Sequence, residues 1–430
     1  MKVALVNPPW TFDGSIYFGC REPHLPLELG YCRSALERDG HQVLLLDGHL
    51  MGQSYAELAE AVRAFGPAMT IVTTAPSYLF WRCAPPELRV PREMLDALDD
   101  GAGLTVAVGP HGSGTPGTTL SKLGVGVVVM GECEEVVAGL ANGGEPGVLP
   151  GTAVLQSGVL RQAGGPQASR FVAQEALHWP DEWVRRHHHH HHRFDRAPEG
   201  PGAEVEASRG CPYTCSFCAK IDFRDKYRRR DLAPVLTEID ALIAQGVTYL
   251  YFIDEIFLPN RPLLEALVDR PVEFGVQTRI DLWKPEMIEL LGRAGCVSIE
   301  AGVESLTEDG RAALDKRCKL STDELTALLV LARLHVAFVQ ANLLEVADDD
   351  PATVAAWRDG LKAHGVWAND PVPLYPYPSS PDYRKLFGLP DDAAWERAHR
   401  HYLEQFTRFS DIQDERPLPL AALEQACRTG

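Results

Sequence analysis

The sequence has little of what marks an extracellular, membrane or nucleic-acid-binding protein. Ten cysteines in 430 residues are too few for a disulfide scaffold. No apolar run approaches the ~18–20 residues a membrane span needs. The longest candidate, Leu325 to Val346, is broken by Arg333, His335, Gln340 and Asn342. Basic residues are outnumbered, 41 Lys and Arg against 59 Asp and Glu, for a formal charge of −18. That balance gives no whole-molecule attraction for phosphate backbones or anionic membrane, so neither nucleic acid nor a membrane is expected as a partner. The opening MKVALVNPPW has one basic residue and a short apolar run; it reads as a buried strand and a loop, not as a signal peptide. A soluble, cytoplasmic chain is expected. The 45% hydrophobic content supplies an ordinary globular core, and the length suggests two to three domains at roughly 150 residues each.

Hydrophobic patterning divides the chain. In residues 1–145, short β-rich runs at Val3–Val6, Val43–Leu46, Met69–Thr73, Leu104–Val108 and Val125–Met130 alternate with helical patterns. Strand–helix alternation predicts a parallel sheet covered on both faces, closed as a flavodoxin-like (Rossmann-like) α/β domain with ligands at the carboxyl ends of its strands. Residues 146–203 break the alternation and read as a linker with a small hairpin around Ser157-Gly158. From 204 to 386 a second alternation gives six strands, ending with Val366–Leu374, between well-patterned helices. Six βα units suit an open, partial (β/α)6 barrel, with its site at the carboxyl ends of the strands. Residues 387–430 read as a helical tail, with Trp395, Ala398, Tyr402 and Phe406 at helical spacing.

Seven cysteines are scattered singly, but Cys211, Cys215 and Cys218 lie within eight residues in SRGCPYTCSFCAK, just after the first strand of the second alternation. Three thiolates on one loop can hold three irons of a 4Fe-4S cluster and leave the fourth iron open. Zinc is the rival metal, although a closed zinc site wants four ligands and this segment has one C-x2-C and no second knuckle.

With Phe217 as its aromatic, Cys-x3-Cys-x-aromatic-Cys resembles the motif of the radical SAM enzymes. The resemblance runs from Glu204 to about Tyr383. It implies S-adenosylmethionine (SAM) chelated at the open iron and cleaved by one electron to a 5′-deoxyadenosyl radical. YFIDEIF closes the second strand, where the family contacts the methionine amino group; Asp254 and Glu255 are the candidates. VQTRID aims Arg279 at the site as a catalytic candidate. GCVSIEAGVES resembles the family's fourth-strand stretch, which assigns Glu304 and Ser305 to the ribose or methionine moiety and makes Glu304 a second catalytic candidate. PYPSSPDY resembles the family's closing Pro-x-Pro-Gly-[Ser/Thr]-Pro, with Ser379 at the glycine, and LLEVADDDP stands in place of the usual fifth-strand segment. Plainer roles stand beside these: a strand-tip carboxylate can cap the next helix, and Arg279 can pair with Asp281 or Glu300.

The first domain resembles the cobalamin-binding domain that precedes many such barrels, through VNPPW, TTAPS, VGPH and MGECEE, each after a strand. The resemblance assigns corrin contacts to Thr74, Ser77, Gly109, Pro110, His111, Gly131 and Glu132. Helix capping is the plainer role for Glu132 and Glu135. DGHLMG at 47–52 matches Asp-x-His-x-x-Gly, a cobalt-ligating pattern, but follows strand two instead of strand one, which favours coincidence over ligation by His49. The six histidines from His187 to His192 read as a surface linker tract. Together the resemblances imply a cobalamin-dependent radical SAM enzyme that methylates an unactivated carbon of a small-molecule or carrier-bound substrate, fed by an electron donor such as flavodoxin or ferredoxin. A cobalamin-assisted rearrangement or oxidation, and a non-catalytic corrinoid sensor with a structural cluster, are the alternatives.

Overall fold

The computed structural model describes residues 1–15, 22–77, 86–98, 100–187, 200–224, 226–388, 392–406 and 418–426. It divides into two units: Met1–Trp179 with Cys218–Asp225 and Pro376–Gly430, and Pro180–Phe217 with Lys226–Tyr375.

The first unit is built on a seven-stranded sheet. Strands β1 (Lys2–Asn7), β2 (Gln42–Asp47), β3 (Met69–Thr73), β4 (Leu104–Val108) and β5 (Val127–Val129) are mutually parallel in the order β2-β1-β3-β4-β5. Their apolar runs lie between helices on both faces, and Val3 through Val6 are fully buried. The helix Tyr55–Phe65 shows how the intervening elements are punctuated. Ser54 and Glu57 close a capping box at its start, and Gly66, in the left-handed region, ends it. The chain leaves β1 toward β2 on one side and resumes with β3 on the other, so the ligand-binding crevice of such a sheet falls at the carboxyl end of β1.

Two expectations change here. The hairpin assigned to a linker extends this sheet: β6 (Thr152–Gln156) and β7 (Val159–Ala163) add antiparallel strands beyond β5. Ser157 and Gly158 both take positive φ, 51° and 78°, as a two-residue hairpin turn requires. Alternation in the sequence predicted the hairpin but could not reveal that it pairs with β5. The tail is also not a separate appendage. Trp395, in the helix Asp392–Phe406, is fully buried among Leu120, Leu123, Val128, Met130 and Ala153 of the first unit.

The second unit carries β8 (Gly202–Val205), a two-stranded antiparallel ribbon of β9 (Ser208–Arg209) and β10 (Arg228–Arg229), then β11 (Tyr249–Phe252), β12 (Glu273–Thr278), β13 (Cys296–Glu304), β14 (Phe338–Leu343) and β15 (Trp367–Ala368). The six main strands are parallel in sequential order, β8-β11-β12-β13-β14-β15, an open β/α sheet as expected. The last strand is shorter than expected. Pro371 and Pro373 have no N–H to give to a ladder, and beyond Ala368 a single bridge remains at Val372.

The buried indole makes a direct test of the tail's role. Trp395→Ala is expected to destabilise the protein by about 3–5 kcal/mol in chemical denaturation. Leu386→Ala, at a side chain 59% exposed, should cost under about 0.5 kcal/mol.

Candidate functional site

The loop that carries the cysteines leaves β9 at the carboxyl side of β8. It has no regular backbone ladder of its own between Cys211 and Phe217, so its shape depends on what grips it. Gly210 donates its N–H to Glu255 (2.7 Å), at the tip of β11. Thr214 donates to the Asp315 carboxylate (2.7 Å), and the Ser216 N–H to the Leu314 carbonyl (2.9 Å). The Tyr213 ring lies under the Arg279 guanidinium, 4.1 Å from ring centre to carbon. Cys211, Cys215 and Cys218 are of intermediate exposure, as is Phe217. Two or three intervening residues keep them within chain reach on one segment. Cys218 begins the short stretch grouped with the first unit. Among the described residues no three His, Cys, Asp or Glu side chains converge as ligands of one ion would. A cube asks for a different arrangement, because each thiolate meets its own iron.

Behind the loop lie buried charges. Glu206 and Arg209 form a two-pronged ion pair (2.8 Å for each prong), both fully buried. Arg230 pairs with Glu238 (2.7 Å) and also reaches the Glu206 carbonyl. Breaking one partner of such a pair strands a charge out of water. Asp254 is buried too. It accepts from the Ala207 N–H (2.8 Å) and from the Ser208 hydroxyl. Burial, opposed by those two hydrogen bonds, pushes its carboxyl up to about 8. Of the two strand-tip acids, then, both turn toward the cysteine loop and the strand leading into it.

The remaining candidates lie at the carboxyl ends of β12 and β13. Arg279 forks onto Asp281 (2.7 and 3.1 Å) and donates to the Lys316 carbonyl (2.6 Å). Burial works to lower its pKa, while the hydrogen bonds and charge of Asp281, followed by Cys215 and Tyr213, raise it to a net upward shift. Glu304 takes a positive φ of 66° and receives Lys316 Nζ at 2.8 Å. Ser305 donates to Asp349 (2.9 Å), which also collects the N–H groups of Leu306 and Thr307, each at 3.1 Å. Asp349 belongs to the LLEVADDDP segment that stands where the resemblance expects another motif. Ser379, at the expected glycine, takes a left-handed φ of 82°. The backbone conformation that favours glycine is retained there without it.

In the first unit the expected corrin contacts lie at the carboxyl edge, and much of their polar capacity is used internally. His111 Nδ1 lies 3.1 Å from the Thr74 hydroxyl, and its ring packs 5.5 Å from Trp395. Ser77 donates to Glu28 (3.0 Å). Glu132 does not open the last helix, which starts at Glu134; it accepts from the Ser169 N–H and hydroxyl at 2.8 and 2.6 Å. Gly109 (φ 135°) precedes the short turn that begins at Pro110. A Cβ on Gly131 (φ 84°) would collide with the Gln167 backbone, so this glycine lets that segment pass as a single bridge. His49 sits in the one-turn helix Gly48–Met51 with its ring 5.8 Å from Phe12. Asp47 caps that turn through the Leu50 N–H (2.8 Å) and accepts from Asn7 (2.9 Å), and burial raises its carboxyl to about 7. Asp47 and Gly52 of DGHLMG are thus explained by a capped turn, Gly52 ending it in the left-handed region. Of the histidine tract only His187 falls within the described residues.

With that geometry in place, comparison with known proteins is decisive for the second unit. Residues 205–336 match the radical SAM superfamily. Those residues are a radical SAM domain. It is 24% identical over 318 residues to an uncharacterized methyltransferase of Pyrococcus horikoshii, covering 71% of this chain and 66% of that protein. It is 26% identical over 325 residues to the anaerobic magnesium-protoporphyrin IX monomethyl ester cyclase of Cereibacter sphaeroides, covering 72% and 51%. The chain therefore spans about half to two thirds of these relatives' lengths. The radical S-adenosylmethionine methyltransferase TsrM of Kitasatospora setae, solved with tryptophan and a SAM analogue, superposes with a TM-score of 0.71 at 19% identity, covering 89% of this chain and 76% of that one. The same enzyme has been solved with cobalamin and a [4Fe-4S] cluster. At that identity the superposition establishes a shared fold.

A radical SAM domain takes a [4Fe-4S] cluster and SAM, and the half-exposed thiols of this loop suit the cluster. Of the residues that hold the loop in shape, the sequence marked Glu255 and Arg279 for other roles and left the rest unmarked. Thr214, Asp315 and the Glu206–Arg209 pair carry no motif, nor does Asp349, which gathers Ser305, Leu306 and Thr307 beyond β13. The one available signal was the density of charge in EVEASRGC, immediately before the first cysteine.

Asp254 makes a pH prediction. Its folded pKa of about 8 lies above the usual carboxylate range, so the folded state holds a proton that the unfolded chain releases. This group therefore erodes stability as pH rises from about 4 to about 8 and adds no further loss above that. Asp254→Asn, which stays neutral, should gain stability relative to wild type between pH about 5 and about 8, read from urea midpoints. A difference independent of pH would contradict this assignment.

Proposed function

We propose that the chain is a cobalamin-dependent radical SAM methyltransferase acting on an unactivated carbon of a small molecule. The observation that carries the reading is the presence, in one chain, of a C-x3-C-x2-C loop at the carboxyl side of an open six-stranded β/α sheet and a sheet of flavodoxin strand order. Cys211, Cys215 and Cys218 would hold three irons and leave the fourth for SAM. When bound, the reduced cluster and SAM supply a 5′-deoxyadenosyl radical, and the corrinoid supplies a methyl group. This chain's own part is to hold and to shield. Glu255 anchors the entry to the cysteine loop at Gly210. Arg279 carries a fixed positive charge beside the loop. Lys316 holds the Glu304 carboxylate on the β13 tip, where it can orient SAM.

The corrin would lie at the carboxyl edge of the first sheet, where the switch of chain direction between β1 and β3 leaves a crevice. Gly109, Pro110, His111 and Gly131 lie on that edge, together with Thr74, Ser77 and Glu132. TsrM, with cobalamin in its solved structure and tryptophan as its substrate, supports both the cofactor and a small-molecule substrate. The charge of −18 disfavours a nucleic-acid substrate. No described helix is long and apolar enough to cross a membrane. A one-electron carrier such as flavodoxin or ferredoxin would reduce the cluster. The relatedness to a cyclase favours one further reading, radical oxidation or rearrangement without methyl transfer.

Anaerobic reconstitution with iron, sulfide and cobalamin tests this assignment. Wild type should show cluster absorbance and EPR, retain cobalamin through gel filtration, and cleave SAM to 5′-deoxyadenosine under reduction. Cys215→Ala should lose the cluster and fall to background cleavage while still retaining cobalamin. Zinc in place of iron and sulfide, or no retained cobalamin in wild type, would sink the proposal. With methyl-labelled SAM, label in the product supports methyl transfer, and an unlabelled product selects the oxidation or rearrangement.

A further inference from the structure

The cysteine loop is gripped from one direction. The Ser216 N–H reaches the Leu314 carbonyl, and the Thr214 hydroxyl reaches the Asp315 carboxylate. One residue further on, the Lys316 carbonyl takes Arg279 Nη1, and the same guanidinium covers the Tyr213 ring. Consecutive residues 314, 315 and 316 therefore each make one bond that bears on the stretch between the first two cysteines or just beyond the second. Lys316 is in turn fastened to the tip of β13 by its ion pair with Glu304, and Arg279 to the end of β12 by its fork on Asp281.

The backbone of this segment is unusual. Among the described residues five that are not glycine take positive φ, and three of them are Glu304, Asp315 and Arg317, at 66°, 47° and 54°. Left-handed backbone at residues with a Cβ persists only where the surroundings over-determine it. Here the surroundings include the bonds to the cysteine loop. Asp315 also holds Arg317 (3.2 Å), so the turn supports itself on one side and the loop on the other.

We propose that Leu314–Lys316 and Arg279 form a brace that sets the conformation of the Cys211–Cys215 loop before metal arrives, with Asp315 and Arg279 as positioning residues. This rests on the reading of the loop as the cluster site. None of the bonds in the brace involves a thiol, so they are made whether or not metal is present. A loop already fixed loses less conformational freedom when it takes up a cluster. Arg279 has a second effect. Its ion pair with Asp281 turns the positive end toward Tyr213, and that end favours the more negative, reduced form of a neighbouring cluster.

The test has two arms on the full-length chain. In metal-free protein, hydrogen–deuterium exchange is followed at residues 213–217 in wild type, Thr214→Val and Asp315→Gly. The glycine variant removes the acceptor and leaves the left-handed backbone accessible. The valine variant removes the donor and keeps the side chain's shape, so a misfolded Asp315 variant does not decide the question. Each should speed exchange in 213–217 about fivefold, the value of one ordinary hydrogen bond, and leave β12 and β13 unchanged. The double variant should add little to either single one. In reconstituted protein, Arg279→Gln should move the cluster midpoint potential more negative and Arg279→Lys should restore most of the shift. Unchanged exchange in both Thr214→Val and Asp315→Gly overturns the brace, and an unmoved potential in Arg279→Gln overturns the electrostatic role. Wild type that takes up no iron and sulfide overturns the cluster reading instead, and with it the brace as a cluster device.

Discussion

A loop without its own hydrogen-bond ladder has no fixed shape unless other parts of the chain supply its partners. Fixing each residue costs conformational entropy of about 1–2 kcal/mol at room temperature. The segment from Gly210 to Phe217 meets that cost with bonds to three other strand ends: Glu255 after β11, Arg279 after β12, and residues 314–316 beyond β13. All three strands are parallel, so their carboxyl ends lie at one edge of the sheet. Parallel order is therefore the condition for everything else at this site. It brings residues as distant in sequence as Thr214 and Asp315 within hydrogen-bond reach.

The buried ion pairs serve the same end at greater expense. Glu206–Arg209, just before the cysteine segment, and Arg230–Glu238, 12 and 20 residues after Cys218, take four charges out of water. Replacing a buried pair with apolar side chains is often neutral or favourable for stability, so such pairs are weak evidence of stabilisation. Their bonds are directional where apolar contacts are not. The Glu206–Arg209 pair spans the turn from β8 into β9, and Arg230 ties β10 back to the same turn. Registration of the strand that leads into Cys211 is the physical return.

The first unit is organised around a different point. Asn7, at the end of β1, donates to Asp47 at the end of β2 and accepts from Thr73 at the end of β3 and from Trp10. One amide thereby joins three neighbouring strand ends at the switch point of the sheet. Asp47, raised toward neutrality by burial, is part of this junction. His111, Thr74 and Trp395 form a neighbouring contact that brings the helix Asp392–Phe406 into the core of the same unit.

The sequence by itself determined the two alternations, the strand positions to within a few residues except at the last strand, the sequential open sheet and the C-x3-C-x2-C loop. These depend on local periodicity and short spacing, which a single chain displays directly. It also marked Arg279 and Glu304, because each ends a strand in a recognisable stretch. Only the tertiary structure decided that the Ser157-Gly158 hairpin extends the first sheet, that Trp395 belongs to its core, and that Asp254 turns into the strand before the cysteines. Asp315 and Asp349 likewise gained their roles only on folding. Each of these depends on a partner tens to hundreds of residues away, and sequence separation carries no record of which distant group will satisfy a given N–H, carboxylate or indole face.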